Sequence, residues 1–332
     1  MSLRAIAKAV QLSVATVSRA LRNDPSVANE TAARVKEAAR KLGYQFNPHV
    51  GALMSSLRRS QGQAFQGSLA LIWVDLSPRN PTHQEMLPIQ AAARKRAGEL
   101  GYVLDEFVLK DHRPAKLLQI LKSRNTQGIL FSPSYNPYGR THLRIPLDTF
   151  AVVGMGWAIT YPPLYTVRLD QYQAMALAMH HARHGFKKKG IAALCDSSGL
   201  RRASYVMRAS FLLSHPAGAA VASSLFFESR SLKKEVVSVL FKRHNVQTLI
   251  AQRESDCPTW LDSLVPPSNR IYLEKPRPAG VCRGWIDRHY SLVGQWGIET
   301  LIGLIQRGEK GIPATPQILL VPPRWVSGNA GL

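Results

Sequence analysis

The first 21 residues of the chain contain two short amphipathic helices separated by a tight turn. In the segment LRAIAKAVQLSVATVSRAL, from Leu3 to Leu21, apolar residues recur three and four positions apart, which is the spacing of the buried face of a surface helix. Ser13 precedes the second helix, where its hydroxyl can accept hydrogen bonds from free backbone N–H groups. Helices of about two turns need tertiary support, so the pattern predicts part of a small helical domain. The predicted buried positions are Leu3, Ile6, Ala7, Val10, Val14, Val17 and Leu21.

The second of these helices carries small and hydroxylic residues at its start and arginines beyond them. Such a composition suits a helix that lies in the major groove of DNA with its N-terminal residues at the base edges. We therefore predict a helix-turn-helix that reads DNA, and the alternative is a two-helix fragment of an ordinary α-domain. The predicted DNA contacts in this region are Ser13, Val14, Ala15, Thr16, Ser18, Arg19 and Arg22.

A third helix is predicted in the segment NETAARVKEAARKLGY, with Asn29 as its cap and Gly43 as its C-terminal stop. Its apolar stripe repeats the spacing of the first two helices, so the three stripes can form one small core. The residues of this stripe are Val35, Ala38, Ala39 and Leu42.

The sequences SVATVSRAL, KLGY and FNPHVGALM resemble the LacI/GalR family of bacterial transcription regulators, and the resemblance covers residues 2–58. Three positions differ from the family's usual pattern. Gln11 replaces a glycine in the turn, Arg22-Asn23 replaces an Asn-Gly pair, and Ala28 replaces a serine cap. None of these changes removes a predicted core residue, but the phosphate contacts around Arg22 are expected to differ.

The segment QFNPHVGALMSSLRRSQGQ, which follows Tyr44, resembles the hinge of the same family. The resemblance implies a short helix that forms when two subunits meet on DNA, with Leu53 inserted into the minor groove. Asn47, which can start this helix together with Pro48, is included among the expected DNA contacts. Alternatively, the apolar residues of the segment pack on the larger domain.

Length and composition favour a cytoplasmic protein with more than one domain. The chain has 332 residues, of which 45% are hydrophobic, enough for a two-lobed body behind a small N-terminal domain. It contains no run of 18 apolar residues and begins directly with the predicted helix-turn-helix, so secretion and membrane insertion are not expected. Cys195, Cys257 and Cys282 lie far apart in the sequence, which suggests a reducing compartment and no metal-ligand spacing.

The chain is strongly basic, with a net charge of +22. Residues 1–60 hold ten Lys and Arg against three Asp and Glu, so +15 of this charge lies on the rest of the chain. A basic surface attracts DNA through a salt-dependent term that is independent of sequence. An anionic ligand or a generally basic proteome would explain the charge equally well.

The rest of the chain alternates strands and helices, and this alternation restarts near residue 170. Such an order predicts an α/β fold with parallel sheets, arranged as two Rossmann-like lobes with a ligand cleft at the carboxyl ends of the strands. This body resembles the effector domain of the LacI/GalR family, which is shaped like a periplasmic sugar-binding protein. We expect three parts: a DNA-binding domain at 1–46, a hinge helix and linker at 47–62, and a two-lobed effector-binding and dimerisation domain at 63–332.

Candidate effector residues follow from the predicted strand ends and from the resemblance. Asp287 is the strongest candidate, because relatives use the corresponding aspartate to bind ligand hydroxyls. An aspartate at a strand end can instead cap a helix, and a tryptophan can instead belong to the core. The family's arginine in the helix after the second lobe's first strand aligns with Met207, next to Arg208, so either the alignment slips by one position or this protein recognises a different ligand. The full set of candidates is Asp75, Ser77, His83, Asp170, Arg208, Trp260, Trp285 and Asp287.

No motif for an enzyme emerges from the sequence, and no cofactor is expected. His180 and His184 share a helix face, but two histidines without a third ligand are weak evidence for zinc. We expect a homodimeric regulator, a repressor rather than an activator, that binds a pseudo-palindromic operator at the nucleoid and responds to a sugar or sugar-derived effector. The alternatives are a regulator that senses a nucleobase or an anionic ligand, and an architectural DNA binder without an effector.

Overall fold

The computed structural model describes residues 3–21, 27–41, 65–74, 87–133, 141–157, 159–184, 190–195, 201–276 and 280–329. Every structural statement below concerns these residues.

The N-terminal part is a three-helix unit with its own small core. It consists of α1 (Leu3–Val10), α2 (Val14–Leu21) and α3 (Asn29–Lys41). The predicted stripes are confirmed wherever their side chains are described, and Ala20 joins them. The predicted cap at Asn29 is wrong, because the carbonyl of Ala28 accepts the first helical hydrogen bond, from Ala32 N–H at 2.9 Å. The buried residues of this core are Ile6, Ala7, Val10, Val17, Ala20, Leu21, Val35 and Ala39.

The first lobe of the body is built on a six-stranded parallel sheet. In order across the sheet, the strands are β13 (Ile318–Val321), β7 (Tyr165–Leu169), β5 (Ala151–Met155), β3 (Thr126–Phe131), β1 (Gly67–Trp73) and β2 (Tyr102–Val108). Its central strands β1, β3 and β5 are almost entirely buried, as expected for a parallel sheet that is covered on both faces. A separate two-stranded sheet pairs β4 with β6. The elements of this part are β1 (Gly67–Trp73), α4 (Leu87–Glu99), β2 (Tyr102–Val108), α5 (Pro114–Ser123), β3 (Thr126–Phe131), β4 (Thr141–His142), β5 (Ala151–Met155), β6 (Ile159–Tyr161) and β7 (Tyr165–Leu169).

The second lobe has another six-stranded sheet, with the strand order β14-β12-β11-β10-β8-β9, in which only β14 is antiparallel to its neighbour. Between β10 and β11 the chain forms three short 3-10 helices instead of an α-helix. The elements from residue 171 onward, of which α10 and β13 belong to the first lobe, are α6 (Gln171–His184), β8 (Gly190–Cys195), α7 (Arg201–Ser214), α8 (Ala219–Ser224), β9 (Phe226–Glu228), α9 (Lys234–Arg243), β10 (Val246–Ala251), β11 (Arg270–Tyr272), β12 (Gly284–Asp287), α10 (Tyr290–Gln306), β13 (Ile318–Val321) and β14 (Arg324–Ser327).

The two lobes contain the same structural unit at a spacing of 120 residues. In each lobe a 3-10 turn is followed by a helix and a strand: α5 and β3 in the first lobe, α9 and β10 in the second. Both helices end before an asparagine in the left-handed conformation, Asn125 with φ 53° and Asn245 with φ 47°. The sequence of exposed and buried positions over 111–131 is repeated over 231–251. The predicted restart of the α/β pattern is therefore confirmed.

The chain passes between the lobes three times. It leaves the first lobe after β7, returns after β12, and leaves again after β13. After the second passage α10 packs closely on α4: a Cβ added to Gly294 would lie 2.0 Å from the carbonyl oxygen of Ile89. The first lobe is thus assembled from two separate parts of the sequence.

Candidate DNA interface and interlobe site

Ser13 caps α2, as the sequence predicts. The backbone N–H of Thr16 donates to Ser13 Oγ at 3.1 Å, and the hydroxyls of the two residues lie 2.8 Å apart. The carbonyl of Ser13 accepts from Val17 N–H at 3.0 Å. These bonds fix the start of the helix on which the predicted base contacts lie.

One face of α2 is occupied by the core, which leaves the other face for a partner. Val17 and Ala20 are fully buried, whereas Thr16 is half-buried and Arg19 is exposed. Arg19 is therefore available to a phosphate or a base edge. For Val14, Ala15 and Ser18 only the helical backbone is described, and Arg22, Asn47 and Leu53 lie outside the described residues.

The three passages between the lobes are linked by hydrogen bonds. At the first and third passages, Asp170 N–H donates to the carbonyl of Val321 at 3.1 Å. At the second and third, a ring nitrogen of His289 lies 3.0 Å from the carbonyl of Pro322. The predicted effector residues Asp170 and Asp287 both lie at these passages.

Asp170 acts as the cap of α6. Its Oδ1 accepts from Gln173 N–H at 2.9 Å, and its carbonyl accepts from Ala174 N–H at 3.0 Å. Helix capping, the structural alternative considered for this aspartate, accounts for one of its two carboxylate oxygens.

Asp287 stabilises the turn that leads into α10 and binds the third passage. Its Oδ1 accepts from His289 N–H at 3.0 Å, and its Oδ2 accepts from Arg324 Nη2 at 3.0 Å. The helix begins at Tyr290, with His289 as its cap residue at φ 51°. Asp287 is therefore a turn and ion-pair residue rather than the cap itself. Its side chain remains 34% exposed, so a ligand could still reach it.

Sequence reasoning missed a buried charged cluster beside these passages. Glu274 Oε1 accepts from Arg288 Nη1 at 3.0 Å, and Glu274 Oε2 accepts from Arg253 Nε at 2.9 Å. Arg288 also donates to Gln171 of α6. The side chains of Arg288 and Glu274 are only 6% and 12% exposed. We refer to Glu274, Arg288, Arg253 and Gln171 as the interlobe cluster.

The position of the interlobe cluster follows from the sheet. Arg253, Glu274 and Arg288 come one or two residues after β10, β11 and β12. Carboxyl ends of neighbouring parallel strands meet at one edge, which is where α/β proteins bind ligands. The usable signal in the sequence was a charged residue within two positions of the end of each of these strands.

The first lobe also has an arginine near the carboxyl edge of its sheet. The guanidinium of Arg168, on β7, lies 3.7 Å from the ring centroid of Trp157, which follows β5. Trp157 Nε1 is buried and makes no hydrogen bond within the described part of the chain. Polar and cationic groups therefore border this edge in both lobes.

Three of the remaining effector candidates, Trp260, Trp285 and Arg208, lie within the described residues. Trp260 and Trp285 pack against the core of the second lobe. The guanidinium of Arg208 lies 5.6 Å from the ring of Phe226, at the start of β9, and its neighbour Met207 is buried in the core. Asp75, Ser77 and His83 lie outside the described residues.

His180, on α6, borders an open groove on the second lobe. This groove has a volume of about 500 Å³ and is also lined by Arg183 and Ser214.

Within the described ranges no helix is both long and apolar enough to cross a membrane.

The N-terminal domain matches a known family of proteins. Residues 2–47 match the model of the family described as bacterial regulatory proteins, lacI family. The chain is 32% identical over 152 residues to the ribose operon repressor of Halalkalibacterium halodurans, and this alignment spans 44% of our chain and 41% of that repressor. The chain thus covers less than half of that relative's length.

Two solved structures resemble the chain over its whole length. The lac repressor dimer bound to operator and the anti-inducer ONPF matches 100% of this chain and 99% of its own, with a TM-score of 0.54 and 15% identity. A complex of the transcriptional regulator CelR with cellobiose matches 100% of both chains, with a TM-score of 0.50 and 15% identity. At such identities the likeness establishes the fold alone. It confirms the predicted architecture, a helix-turn-helix domain followed by a two-lobed body like that of a periplasmic binding protein.

Proposed function

Because the predicted resemblance to the LacI/GalR family is confirmed, with residues 2–47 matching the family's own model, we propose that this protein is a sequence-specific DNA-binding regulator of transcription. It acts as a repressor whose affinity for its operator changes when a small molecule binds between the lobes. The observation that carries the proposal is the helix-turn-helix, in which Ser13 caps α2 and one face of α2 is left uncovered by the core.

Selection of binding sites from random duplex DNA tests the DNA-reading role. Substitutions of Val14 and Ala15 should change the preferred bases, whereas Arg19→Ala should lower affinity evenly if Arg19 binds a phosphate. Ala33→Ser, an exposed change on α3 outside the predicted contacts, is the control and should leave the preferred bases unchanged and the stability within about 0.5 kcal/mol of the parent. An unchanged preferred site in the Val14 and Ala15 variants would place base recognition outside α2.

The domain organisation belongs to the proposal. Residues 1–46 bind DNA, 47–62 form the hinge, and 63–332 bind the effector and form a homodimer. A dimer with two-fold symmetry requires an operator with two related half-sites. Leu53→Ala should weaken operator binding and reduce the bend in the DNA, because an inserted side chain holds a base step open. A parent-like bend in the variant, measured by the mobility of permuted fragments, would exclude the insertion.

We assign the effector to the cleft between the lobes and favour a sugar. The support is the name of the ribose operon repressor and the cellobiose in the CelR complex, both statements about relatives. An anionic ligand is the second candidate, because arginines border both sheet edges: Arg168 in the first lobe, Arg253 and Arg288 in the second. A panel of neutral sugars and sugar phosphates, scored by the change in operator affinity, separates the two classes.

Asp287 and Arg324 provide a matched pair for testing the effector site. If Asp287 binds a ligand hydroxyl, Asp287→Ala should abolish the ligand response, while Arg324→Ala, which removes the same ion pair, should preserve it. Each hydrogen bond to a carboxylate contributes about 1.5 to 3 kcal/mol, so loss of two bonds should lower ligand affinity about a hundredfold or more. Equal loss of response in both variants would assign Asp287 to linking the passages instead.

We further propose that the protein acts by binding rather than catalysis, in the cytoplasm and at the nucleoid. Recovery of an unchanged effector from a saturated complex, judged by mass spectrometry, would support binding without catalysis. A chemically altered effector would contradict it.

A further inference from the structure

The positive charge of the body is concentrated on the repeated structural unit. Residues 109–124 and 229–244 each hold five basic residues and one acidic residue, so together they supply +8 of the +15 on residues 61–332. These segments contain the 3-10 turns and the helices α5 and α9. About half of the body's net charge therefore lies on one unit in each lobe.

Nine of these ten cations are exposed and make no ion pair within the described residues. The exception is Arg124, whose Nη1 lies 3.0 Å from Asp105 Oδ2. We call Lys110, Arg113, Lys116 and Lys122 the first basic surface, and Arg230, Lys233, Lys234, Lys242 and Arg243 the second.

Cations on α4 show the contrasting arrangement. Arg94 pairs with Glu106, and Arg96 pairs with Glu299 at 2.7 Å. The two carboxylates within the segments, Asp111 and Glu235, make no such ion pair in the described part of the chain.

Both units retain positive charge while the rest of their sequence diverges. Position 110 corresponds to 230, 113 to 233 and 122 to 242, and all six residues are Lys or Arg. Over 109–125 and 229–245 only two positions are identical, those of Lys122 and Asn125. Charge is thus the main property that the two exposed surfaces share.

Helix stability explains only a part of this charge. Lys122 and Lys242 lie in the last turns of α5 and α9, where the helix dipole favours cations. The other shared cations precede the helices or begin them, where the dipole disfavours positive charge, and like charges at such spacing repel each other. Their placement lowers stability slightly, which points to a role outside the fold.

We propose that the two basic surfaces bind the phosphate backbone of duplex DNA, independently of sequence, as a second DNA contact besides the helix-turn-helix. The choice of DNA as the occupant rests on the proposed function. Charge complementarity supports it: duplex DNA carries one negative charge per about 1.7 Å of its axis. Arg113 and Lys122 are nine residues apart, which is about 13 Å at a rise of 1.5 Å per residue and close to the roughly 12 Å width of the major groove. Cations at the two ends of α5 can therefore contact phosphates on both sides of a groove.

Two variants of the full chain test the proposal. One carries Lys110→Gln, Arg113→Gln and Lys116→Gln, and the other carries Arg230→Gln, Lys233→Gln and Lys234→Gln. The control carries Arg144→Gln, Lys275→Gln and Lys310→Gln, which removes the same charge from exposed residues outside the basic surfaces. The probe is a random-sequence 30-base-pair duplex, and its binding constant is measured from low to high salt.

The slope of log affinity against log salt should become shallower by about 0.9 for each cation that meets a phosphate. Between 1 M and 0.1 M salt, the ratio of the parent's affinity to the variant's should therefore grow about eightfold for each lost contact. The melting temperature of the variant should stay at or above that of the parent. The control should keep nearly the parent's slope. A parent-like slope in both surface variants, or an equal change in the control, would overturn the proposal. Selection of binding sites from random DNA with the parent protein tests the proposed regulator function separately. If no sequence is enriched, that function is wrong, whereas the salt slopes still test whether the basic surfaces bind DNA.

Discussion

Removing the anion from the interlobe cluster should destabilise the second lobe more than removing either of its arginines. Glu274→Gln leaves Arg288, 6% exposed, and Arg253, 31% exposed, side by side without the carboxylate that both of them bind. Loss of one partner of a buried ion pair costs about 3 to 5 kcal/mol, because a buried charge is left uncompensated. In Arg288→Met the carboxylate retains Arg253, so we expect a loss of about 1 to 3 kcal/mol. Arg253→Met, at a more exposed site, should cost about 1 kcal/mol or less.

Thermal unfolding followed by circular dichroism provides the measurement. One kcal/mol corresponds to about 2 to 4 °C for a unit of 150 to 250 residues, so Glu274→Gln should lower the midpoint by roughly 6 to 20 °C. Glu235→Gln, an exposed change of the same chemistry on α9, is the control and should stay within about 0.5 kcal/mol of the parent. If Arg288→Met proves as damaging as Glu274→Gln, or if Glu274→Gln costs less than about 1 kcal/mol, the cluster does not depend on its single anion.

Two further predictions concern packing and pH. Gly294→Ala should cost about 1 to 3 kcal/mol of stability, because its Cβ would lie 2.0 Å from Ile89 O. Gly303→Ala, also in α10, is the control and should be neutral or stabilising, because its Cβ meets only a flexible side chain. Equal melting temperatures of the two variants would contradict the close approach at Gly294. Burial lowers the pKa of His215 below its ordinary value of 6.5, and its Nε2 lies 2.9 Å from Ile191 O. The folded state then binds fewer protons than the unfolded state, so stability conferred by neutral His215 is lost as the pH falls through 6.5 toward the lower folded pKa. His215→Gln should flatten the fall in urea-unfolding stability between about pH 7 and pH 5, and a difference from the parent that is constant with pH would contradict this.

The regular elements of this fold could be predicted because each carries a local signal. Buried strands such as β1 and β5 consist mainly of apolar residues, and the helices between the strands repeat at three and four residues, so their existence followed from the sequence. The two-residue strand β4 and the antiparallel edge strand β14 are too short to show a period. The three 3-10 helices between β10 and β11 replace the helix that an alternating pattern leads one to expect.

The candidate site was predicted only at the level of position. A strand end can be recognised from sequence, and this signal nominated Asp170 and Asp287, which the structure places at passages between the lobes. The partners of these residues could not be recognised, because they come from distant parts of the chain: Arg324 binds Asp287 across 37 residues, and Gln171 binds Arg288 across 117. Periodicity carries no information about such pairings.

The three passages between the lobes also bear on the order in which a growing chain can fold. All of the second lobe except β14 is complete once residue 287 has been synthesised, whereas the first lobe still lacks α10 and β13. Val293, Leu301 and Val321 belong to the same buried cluster as Leu69 and Leu130. The core around the earliest strands of the body is therefore incomplete until residues 293–321 have been synthesised. On the ribosome, the lobe that is translated first should therefore be the one that closes last. A chain that ends after residue 288 would contain a second lobe that lacks only β14, and a first lobe whose apolar sheet face is exposed because α10 is missing. Chaperones bind such exposed apolar surfaces.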